Sequence, residues 1–375
     1  MGITPPADRS PIALSIGEPK HPAPAFALQT LVDHLDGFNR YPLTSGTPEL
    51  RCAAADWATR RYQLRHLSDQ QVLPVNGTRE ALFAFAQAII DRKSAPLVLM
   101  PNPFYQIYEG AALLAGAEPY FLNCLAENQY LPDFDQVPES AWQRCQLIYL
   151  CNPGNPTGAV IGSEQLQQLL ALADQYDFVI ASDECYSEIY FDEPPTGLLS
   201  VCEATGRTDY RRCMVFQSLS KRSNLPGLRS GFVAGDQTLI DAFLTYRTYH
   251  GSAMPLPVQL ASIATWNDEA HVEANRAIYR EKFTQVEPIL RRALPVQKPD
   301  AAFFFWAATP IDDCDFARAL FAEENVTVLP GSYLAREAHG CNPGSRHVRM
   351  ALVAELDECL EAAERIVRFV EHLKP

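Results

Sequence analysis

The sequence predicts an α/β protein with a mainly parallel sheet covered by helices, followed by a smaller α+β domain. The chain has 375 residues, and two domains are expected because single hydrophobic cores stop growing beyond about 250–300 residues. From about residue 46 to 270, short apolar runs alternate with amphipathic helical patterns, and strands separated by helices imply crossovers and parallel pairing. After about residue 270 the pattern changes to long helices with a few strands.

The elements follow in order. Thr47 is a predicted N-cap, with Pro48 at the first helical position of an amphipathic helix. Further helices are predicted over 163–176 and after Asp236. The apolar runs that predict buried strands are Leu97–Met100, Leu147–Leu150, Phe178–Ala181, Met214–Phe216 and Phe232–Ala234. The later elements are a helix from His271 to about Leu294, the run Phe303–Trp306, a helix, strands near Val326–Leu329 and His347–Leu352, and a last helix.

These patterns divide the chain into three parts. Residues 1–40 are too short and proline-rich for a domain and are expected to pack with the small domain. Residues 41–270 form the large domain and residues 271–375 the small C-terminal domain. Because ligands of such sheets bind beyond the carboxyl ends of the strands, the chemistry is expected just after the apolar runs.

Composition excludes several classes of function. The formal net charge is −14, with no cluster of Lys and Arg, so nucleic acid and anionic membranes are poor partners. There is no apolar stretch of about 18 residues and no N-terminal secretory signal, which predicts a cytoplasmic protein. The ten cysteines are scattered, with no spacing typical of a metal site, and are expected to be reduced. An anionic substrate would need several basic residues gathered in one pocket.

The most informative segment follows the fourth apolar run. It reads Ser218-Leu-Ser220-Lys221, with Arg229 eight residues later. Lysine forms imines with carbonyl cofactors, while hydroxyls and a guanidinium suit a phosphate. The segment therefore indicates a Schiff-base lysine beside a phosphate site; a solvated loop with ordinary basic residues is the alternative.

Two other strand ends carry polar residues. Asp183 ends one predicted strand and Tyr186 follows three residues later. The Asp183 carboxylate suits the nitrogen of a pyridine ring, because it keeps that nitrogen protonated and so makes the ring an electron sink. The Tyr186 hydroxyl suits a phenolic oxygen on the same ring. Asn155 lies in a Pro/Gly-rich turn after another strand and is a second partner for that oxygen. A helix-capping Asp, a core Tyr and a purely structural turn are the alternatives.

Two further segments complete the candidate site. Gly77, Thr78 and Arg79 open a helix, where free backbone amides and the positive end of the helix dipole favour phosphate. Tyr105 follows a strand and is a candidate platform for stacking on a ring.

Taken together, these motifs resemble the class I/II aminotransferases of fold type I over nearly the whole chain. The resemblance implies a homodimer that binds pyridoxal 5'-phosphate on Lys221, with ping-pong kinetics. It implies catalytic roles for Lys221, Asp183 and Tyr186. Tyr41 would reach the phosphate in the partner subunit, and Arg349 in the segment His347-Val-Arg349-Met would bind the substrate α-carboxylate. The neighbouring Arg346 is interpreted as a surface residue.

Two segments also resemble the N-succinyldiaminopimelate aminotransferases of bacterial lysine biosynthesis. These are Leu14–Pro22 and Leu219–Gly231. This resemblance implies glutamate and 2-oxoglutarate as the donor pair and places Gly17 at the substrate, with Lys20 as a candidate partner for a distal carboxylate. A solvated Lys20, another specificity (acetylornithine, aspartate or aromatic) and a C–S β-lyase remain alternatives. A transcription regulator with this fold would need an extra basic DNA-binding domain ahead of the fold, and this alternative is not expected because the predicted fold begins almost at Met1.

Overall fold

The computed structural model describes residues 4–373 and confirms the predicted α/β class. Its strands are β1 (Ile12–Ala13), β2 (Val72–Val75), β3 (Leu97–Asn102), β4 (Glu118–Asn123), β5 (Cys145–Cys151), β6 (Val179–Asp183), β7 (Cys213–Ser218), β8 (Gly231–Gly235), β9 (Phe304–Ala308), β10 (Val326–Thr327), β11 (Leu329–Pro330) and β12 (His347–Ala351). Its α-helices are α1 (Ala25–Asp33), α2 (Pro48–Tyr62), α3 (Thr78–Ile89), α4 (Ile107–Ala115), α5 (Glu139–Trp142), α6 (Ser163–Tyr176), α7 (Leu198–Ala204), α8 (Leu219–Arg222), α9 (Gln237–His250), α10 (Leu256–Trp266), α11 (Ala270–Leu290), α12 (Asp313–Glu324) and α13 (Leu356–Leu373).

The main sheet has seven strands in the order β2-β8-β7-β6-β5-β3-β4. β3 to β7 are mutually parallel, whereas β8 runs antiparallel to both of its neighbours. Separate apolar clusters cover the two faces of the sheet. The carboxyl ends of β3, β5, β6 and β7 therefore lie at one edge, where parallel α/β sheets bind ligands.

The sequence pattern indicated five of these strands but not β2 or β4. β2 contains Pro74, and β4 contains Pro119 within a partly exposed edge strand. Proline removes a backbone donor and weakens the strand signal, which accounts for the omission. The reversed direction of β8 was also not predicted; its connection from β7 holds only the short helix α8 and a 3₁₀ turn.

Helix boundaries agree closely with the predicted caps. The Thr47 hydroxyl accepts a hydrogen bond from the backbone N–H of Leu50 at 3.3 Å, as expected of an N-cap before α2. Asp236 caps α9 through the N–H of Thr238. The long helix α11 ends at Leu290, earlier than the predicted Leu294.

A third apolar cluster surrounds the antiparallel sheet β11-β12-β9 together with α11, α12 and α13. The N-terminal segment divides between two neighbours: β1 pairs with β10, whereas α1 packs against α10. The domain boundaries at residues 40 and 270 stay predictions. No helix within residues 4–373 combines the length and apolar character needed to cross a bilayer.

Candidate active site

A cavity of about 830 Å³ opens at the carboxyl edge of the main sheet, between that sheet and the strands β9 and β12. This volume is typical of small-molecule and cofactor sites. The cavity gathers most of the predicted site residues, namely Gly17, Thr78, Arg79, Tyr105, Asn155, Asp183, Tyr186, Ser218, Ser220, Lys221, Arg229 and Arg349. The basic residues that an anionic substrate requires are therefore collected in one pocket, although the chain as a whole is acidic.

Lys221 lies in the short helix α8, just past the carboxyl end of β7. Its amine donates a hydrogen bond to the backbone carbonyl of Gly17, which crosses the cavity from the N-terminal segment. Burial lowers the pKa of Lys221 to about 8, and the nearby Arg349 acts in the same direction. The unprotonated fraction of this amine near neutral pH is therefore larger than for an ordinary lysine, which favours its action as a nucleophile or general base.

Asp183 ends β6 at the base of the cavity and is only 5% exposed. Its Oδ2 accepts a hydrogen bond from the hydroxyl of Tyr108 at 2.9 Å, and its Oδ1 accepts one from the N–H of Cys185 at 3.2 Å. Burial raises the pKa of Asp183, and these two hydrogen bonds and Lys221 oppose the rise. The carboxylate is thus buried but supported in its charged form.

Hydroxyls, a guanidinium and a helix N-terminus meet at the end of the cavity near α3. The Ser218 hydroxyl donates to the Ser220 hydroxyl at 2.9 Å. Gly77 precedes α3 with φ of +85° and provides no side-chain cap for the first turn. A Cβ on Gly77 would lie 2.1 Å from Nη2 of Arg229. Only glycine therefore allows Arg229 to lie against the start of α3.

Arg349 reaches the cavity from β12 in the small sheet. Its Nη1 donates to Oδ1 of Asn155 at 2.8 Å and its Nη2 to the carbonyl of Ser15 at 2.6 Å. The guanidinium lies 4.6 Å from the centre of the Phe304 ring, and its Nε is buried without a hydrogen-bond partner. A guanidinium fixed in this way keeps further N–H donors along its edge, and such an edge suits a carboxylate.

Three predicted site residues lie outside the lining of this cavity. Lys20 forms an exposed ion pair with Glu358 at 3.4 Å, because the segment turns towards α13 after it crosses Lys221. The expected contact of Lys20 with a distal carboxylate therefore lacks support in the structure. Tyr41 is fully exposed, and its contact with a partner subunit stays a prediction. Gly77 lies behind Arg229.

Sequence reasoning missed several residues of the cavity. Tyr108 is fully buried beneath Asp183, stacked on Tyr149 at 4.7 Å between ring centroids. Its position three residues after Tyr105, whose ring it meets edge-on at 5.8 Å between centroids, was the available signal. Cys185 also lines the cavity, with its sulfur 3.0 Å from the Thr78 hydroxyl. Ser15 could not be found from the pattern because it acts through its backbone carbonyl.

Comparisons with known proteins give a consistent result. The family model for aminotransferase class I and II matches residues 9–366. A crystal structure of an aminotransferase from Neisseria meningitidis superposes with a TM-score of 0.94 at 49% identity, covering 98% of this chain and 94% of that one. An aminotransferase from Helicobacter pylori superposes with a TM-score of 0.91 at 34% identity, covering 98% and 95%. An LL-diaminopimelate aminotransferase of Dehalococcoides mccartyi is 31% identical over 93% of this chain and 88% of its own length.

Proposed function

The chain belongs to the class I and II aminotransferase family, and we propose that it transfers an amino group between N-succinyl-L,L-diaminopimelate and 2-oxoglutarate. The general activity, without regard to the substrate, is that of a pyridoxal-phosphate-dependent aminotransferase. The proposal is carried by one arrangement: the amine of Lys221, the carboxylate of Asp183 and the guanidinium of Arg349 face the same cavity. An amino-acid substrate carries an amine and a carboxylate on its α-carbon. The imine chemistry of a lysine serves the first group, and a guanidinium binds the second.

The residues of the cavity fit pyridoxal 5'-phosphate. We propose that Thr78, Ser218, Ser220 and Arg229, with the first turn of α3, hold the phosphate. The close approach of Arg229 to Gly77 supports this assignment. The ring nitrogen would lie at Asp183, the ring oxygen at Tyr186 and Asn155, and one ring face at Tyr105, all of which line the cavity. When bound, the cofactor supplies an electron sink for the negative charge that develops at the substrate α-carbon.

The chain's own side chains direct the reaction. Arg349 binds the α-carboxylate and, with Asn155 at 2.8 Å, fixes the rotation of the substrate about its Cα–N bond. Lys221, whose pKa is lowered to about 8 by burial, accepts the proton from the substrate α-carbon and returns it to the acceptor carbon. The hydrogen bond from Tyr108 favours the ionised form of Asp183 against the effect of burial, which raises its pKa. Release of the keto acid before the second substrate binds gives ping-pong kinetics.

The cavity also supports dicarboxylate substrates. Arg79 lines it close to Tyr105, and burial raises the pKa of that phenol to about 12 while Arg79 opposes the rise. Among residues 4–373, no carboxylate lies within ion-pair distance of Arg79. We therefore propose that Arg79, rather than Lys20, meets the distal carboxylate of glutamate and of the succinylated substrate.

A second substrate is favoured by the curated relatives. Several of them, about 30% identical, carry the name LL-diaminopimelate aminotransferase. The two candidates differ by one N-succinyl group, which adds a carboxylate and removes an ammonium charge. A basic cavity favours the succinylated molecule, and this electrostatic difference is the reason for preferring it. The homodimer with Tyr41 at the partner's phosphate belongs to the same proposal.

The test compares substrates on the cofactor-loaded protein. Initial rates are measured with 2-oxoglutarate as acceptor and, in turn, N-succinyl-L,L-diaminopimelate, L,L-diaminopimelate, acetylornithine, aspartate and an aromatic amino acid. The proposal expects the succinylated substrate to have the highest kcat/KM. A higher value for L,L-diaminopimelate would select the second candidate, and release of pyruvate and ammonia from cystathionine would select the β-lyase.

Two arginine variants provide an internal control. Arg349→Met is expected to lower kcat/KM for every amino-acid substrate by about 100-fold or more, because it removes a charge-assisted pair of hydrogen bonds. Arg346→Met changes an exposed arginine three residues away and is expected to keep wild-type kinetics. Equal losses in the two variants would contradict the assignment of Arg349.

A further inference from the structure

A buried pair of basic residues lies outside the cavity and has no role in the reaction described above. Lys282, on α11, is 1% exposed, and His21, in the N-terminal segment, is 6% exposed. The Lys282 amine lies 2.6 Å from Nε2 of His21 and also donates to the carbonyls of Leu352 and Ala354. Burying two basic groups in contact is costly unless their hydrogen bonds are complete.

The hydrogen bonds around His21 have a defined direction. A lysine ammonium has only donors, so Nε2 of His21 accepts from it and the histidine proton lies on Nδ1. Nδ1 is 3.3 Å from Oδ1 of Asn275, to which it donates. The Asn275 amide then donates to the backbone carbonyls of Lys221 and Arg222, at 3.3 and 3.4 Å. The chain of donors therefore runs from Lys282 to the backbone of the reactive lysine, and it requires a neutral His21.

This chain of hydrogen bonds connects three parts of the active site. Leu352 and Ala354 directly follow β12, which carries Arg349. His21 ends the segment that crosses the cavity, where the Gly17 carbonyl contacts Lys221. The other end of that segment is held by backbone hydrogen bonds of Leu14 to Thr327 and Ala351, at 2.8 and 2.7 Å. His21 is thus the second anchor of a strap defined as residues 14–21.

We propose that His21 and Lys282 are positioning residues that hold this strap across the cavity and fix the backbone of Lys221, and that they do so only while His21 is neutral. Neither side chain lines the cavity, so both act through the strap and through Asn275. Protonation would turn the Nε2 lone pair into an N–H group facing the ammonium of Lys282. The anchor would then be lost, together with the cover that the strap gives to Lys221.

The surroundings of the pair favour the neutral histidine. Burial lowers the pKa of His21, and the charge of Lys282 lowers it further, while Asn275 and Glu355 oppose this. Burial also lowers the pKa of Lys282. The titratable and charged groups that face the pair are Lys20, Tyr279, Glu355, Glu358 and Cys359. Since the folded state binds the proton less readily than the unfolded state, stability falls as the pH drops below the ordinary histidine value of 6.5.

The experiment combines hydrogen–deuterium exchange with steady-state kinetics on the cofactor-loaded protein. His21→Phe keeps an aromatic ring beside Tyr279 but removes both nitrogens, and Lys282→Met keeps the aliphatic stem. Both variants are expected to exchange the amides of the strap at least about tenfold faster at neutral pH. They are also expected to raise KM for glutamate about five- to tenfold with kcat changed less than about twofold, since the strap contributes mainly to binding.

Two further variants separate positioning from general damage. His21→Gln retains an acceptor for Lys282 without a titratable ring, so it should restore slow exchange and remove the acid-induced rise in exchange seen in the wild type. Lys298→Met removes a partly exposed lysine paired with Asp192 at 3.1 Å and should leave exchange and KM unchanged.

Unchanged strap exchange in His21→Phe, or equal changes in Lys298→Met, would overturn the proposal. If Lys282→Met does not fold, His21→Phe decides the question alone. The kinetic part rests on the proposed aminotransferase function, whereas exchange needs no turnover. A wild-type protein inactive with glutamate would therefore contradict the function and leave the positioning test intact.

Discussion

The hydrogen bond from Tyr108 to Asp183 gives a sharp prediction about the cofactor site. Tyr108→Phe keeps the buried ring and its stack on Tyr149 but removes the hydroxyl that lies 2.9 Å from Oδ2 of Asp183. A hydrogen bond to a charged group contributes about 1.5–3 kcal/mol. Since one pKa unit corresponds to about 1.4 kcal/mol, the pKa of Asp183 should rise by about 1–2 units. The pH below which cofactor affinity falls, the acid limb of the binding profile, should rise by the same amount.

The assay is the dissociation constant of the cofactor measured by equilibrium dialysis across the acid range, together with the acid limb of kcat/KM. Tyr149→Phe is the matched control, because that hydroxyl donates to the carbonyl of Leu82 at 2.6 Å and makes no hydrogen bond to Asp183. An unmoved acid limb in Tyr108→Phe, or an equal shift in Tyr149→Phe, would refute the reasoning.

Three other outcomes are expected. Lys221→Ala should lower turnover by about 10²–10⁴-fold or more with an unchanged circular dichroism spectrum, and appreciable activity would sink the assignment of the reactive amine. Gly77→Ala should lower Tm, with a strain cost of about 1–3 kcal/mol from the φ of +85° at this position. It should also weaken cofactor binding because the Cβ, 2.1 Å from Nη2 of Arg229, would displace that guanidinium; wild-type affinity would show that this contact is dispensable. In the cofactor-free protein, reductive methylation of Lys221 followed by mass spectrometry should reach half its maximal rate near pH 8, whereas a midpoint near the ordinary value of 10.5 would contradict the effect of burial.

Much of the fold follows from patterns that act locally. The apolar runs indicated the central strands β3, β5, β6 and β7, and the residues at their carboxyl ends were recognisable because parallel strands bring their ends to one edge. The edge strand β4 and the reversed strand β8 depend on pairing partners distant in sequence, which a local pattern does not specify.

In the site, too, residues marked by a local pattern were predicted and residues that depend on distant contacts were not. Lys221 and Asp183 were predicted because they lie at or just beyond the carboxyl ends of buried strands. Tyr108 was missed because its importance comes from a hydrogen bond across 75 residues of sequence. Lys20 was placed at the substrate from its neighbours in the chain, but the strap turns after Gly17 and takes its side chain to Glu358. Side-chain direction after a turn depends on tertiary packing, which the sequence pattern does not contain.

The central claim is that this cavity carries out transamination with Lys221 as the reactive amine. The most direct measurement mixes the cofactor-loaded protein with glutamate alone and quantifies the keto acid released. Transamination predicts one 2-oxoglutarate per active site, no free ammonia, and no further release until a keto acid acceptor is added. Absence of 2-oxoglutarate, or continuous release accompanied by ammonia, would contradict the assignment.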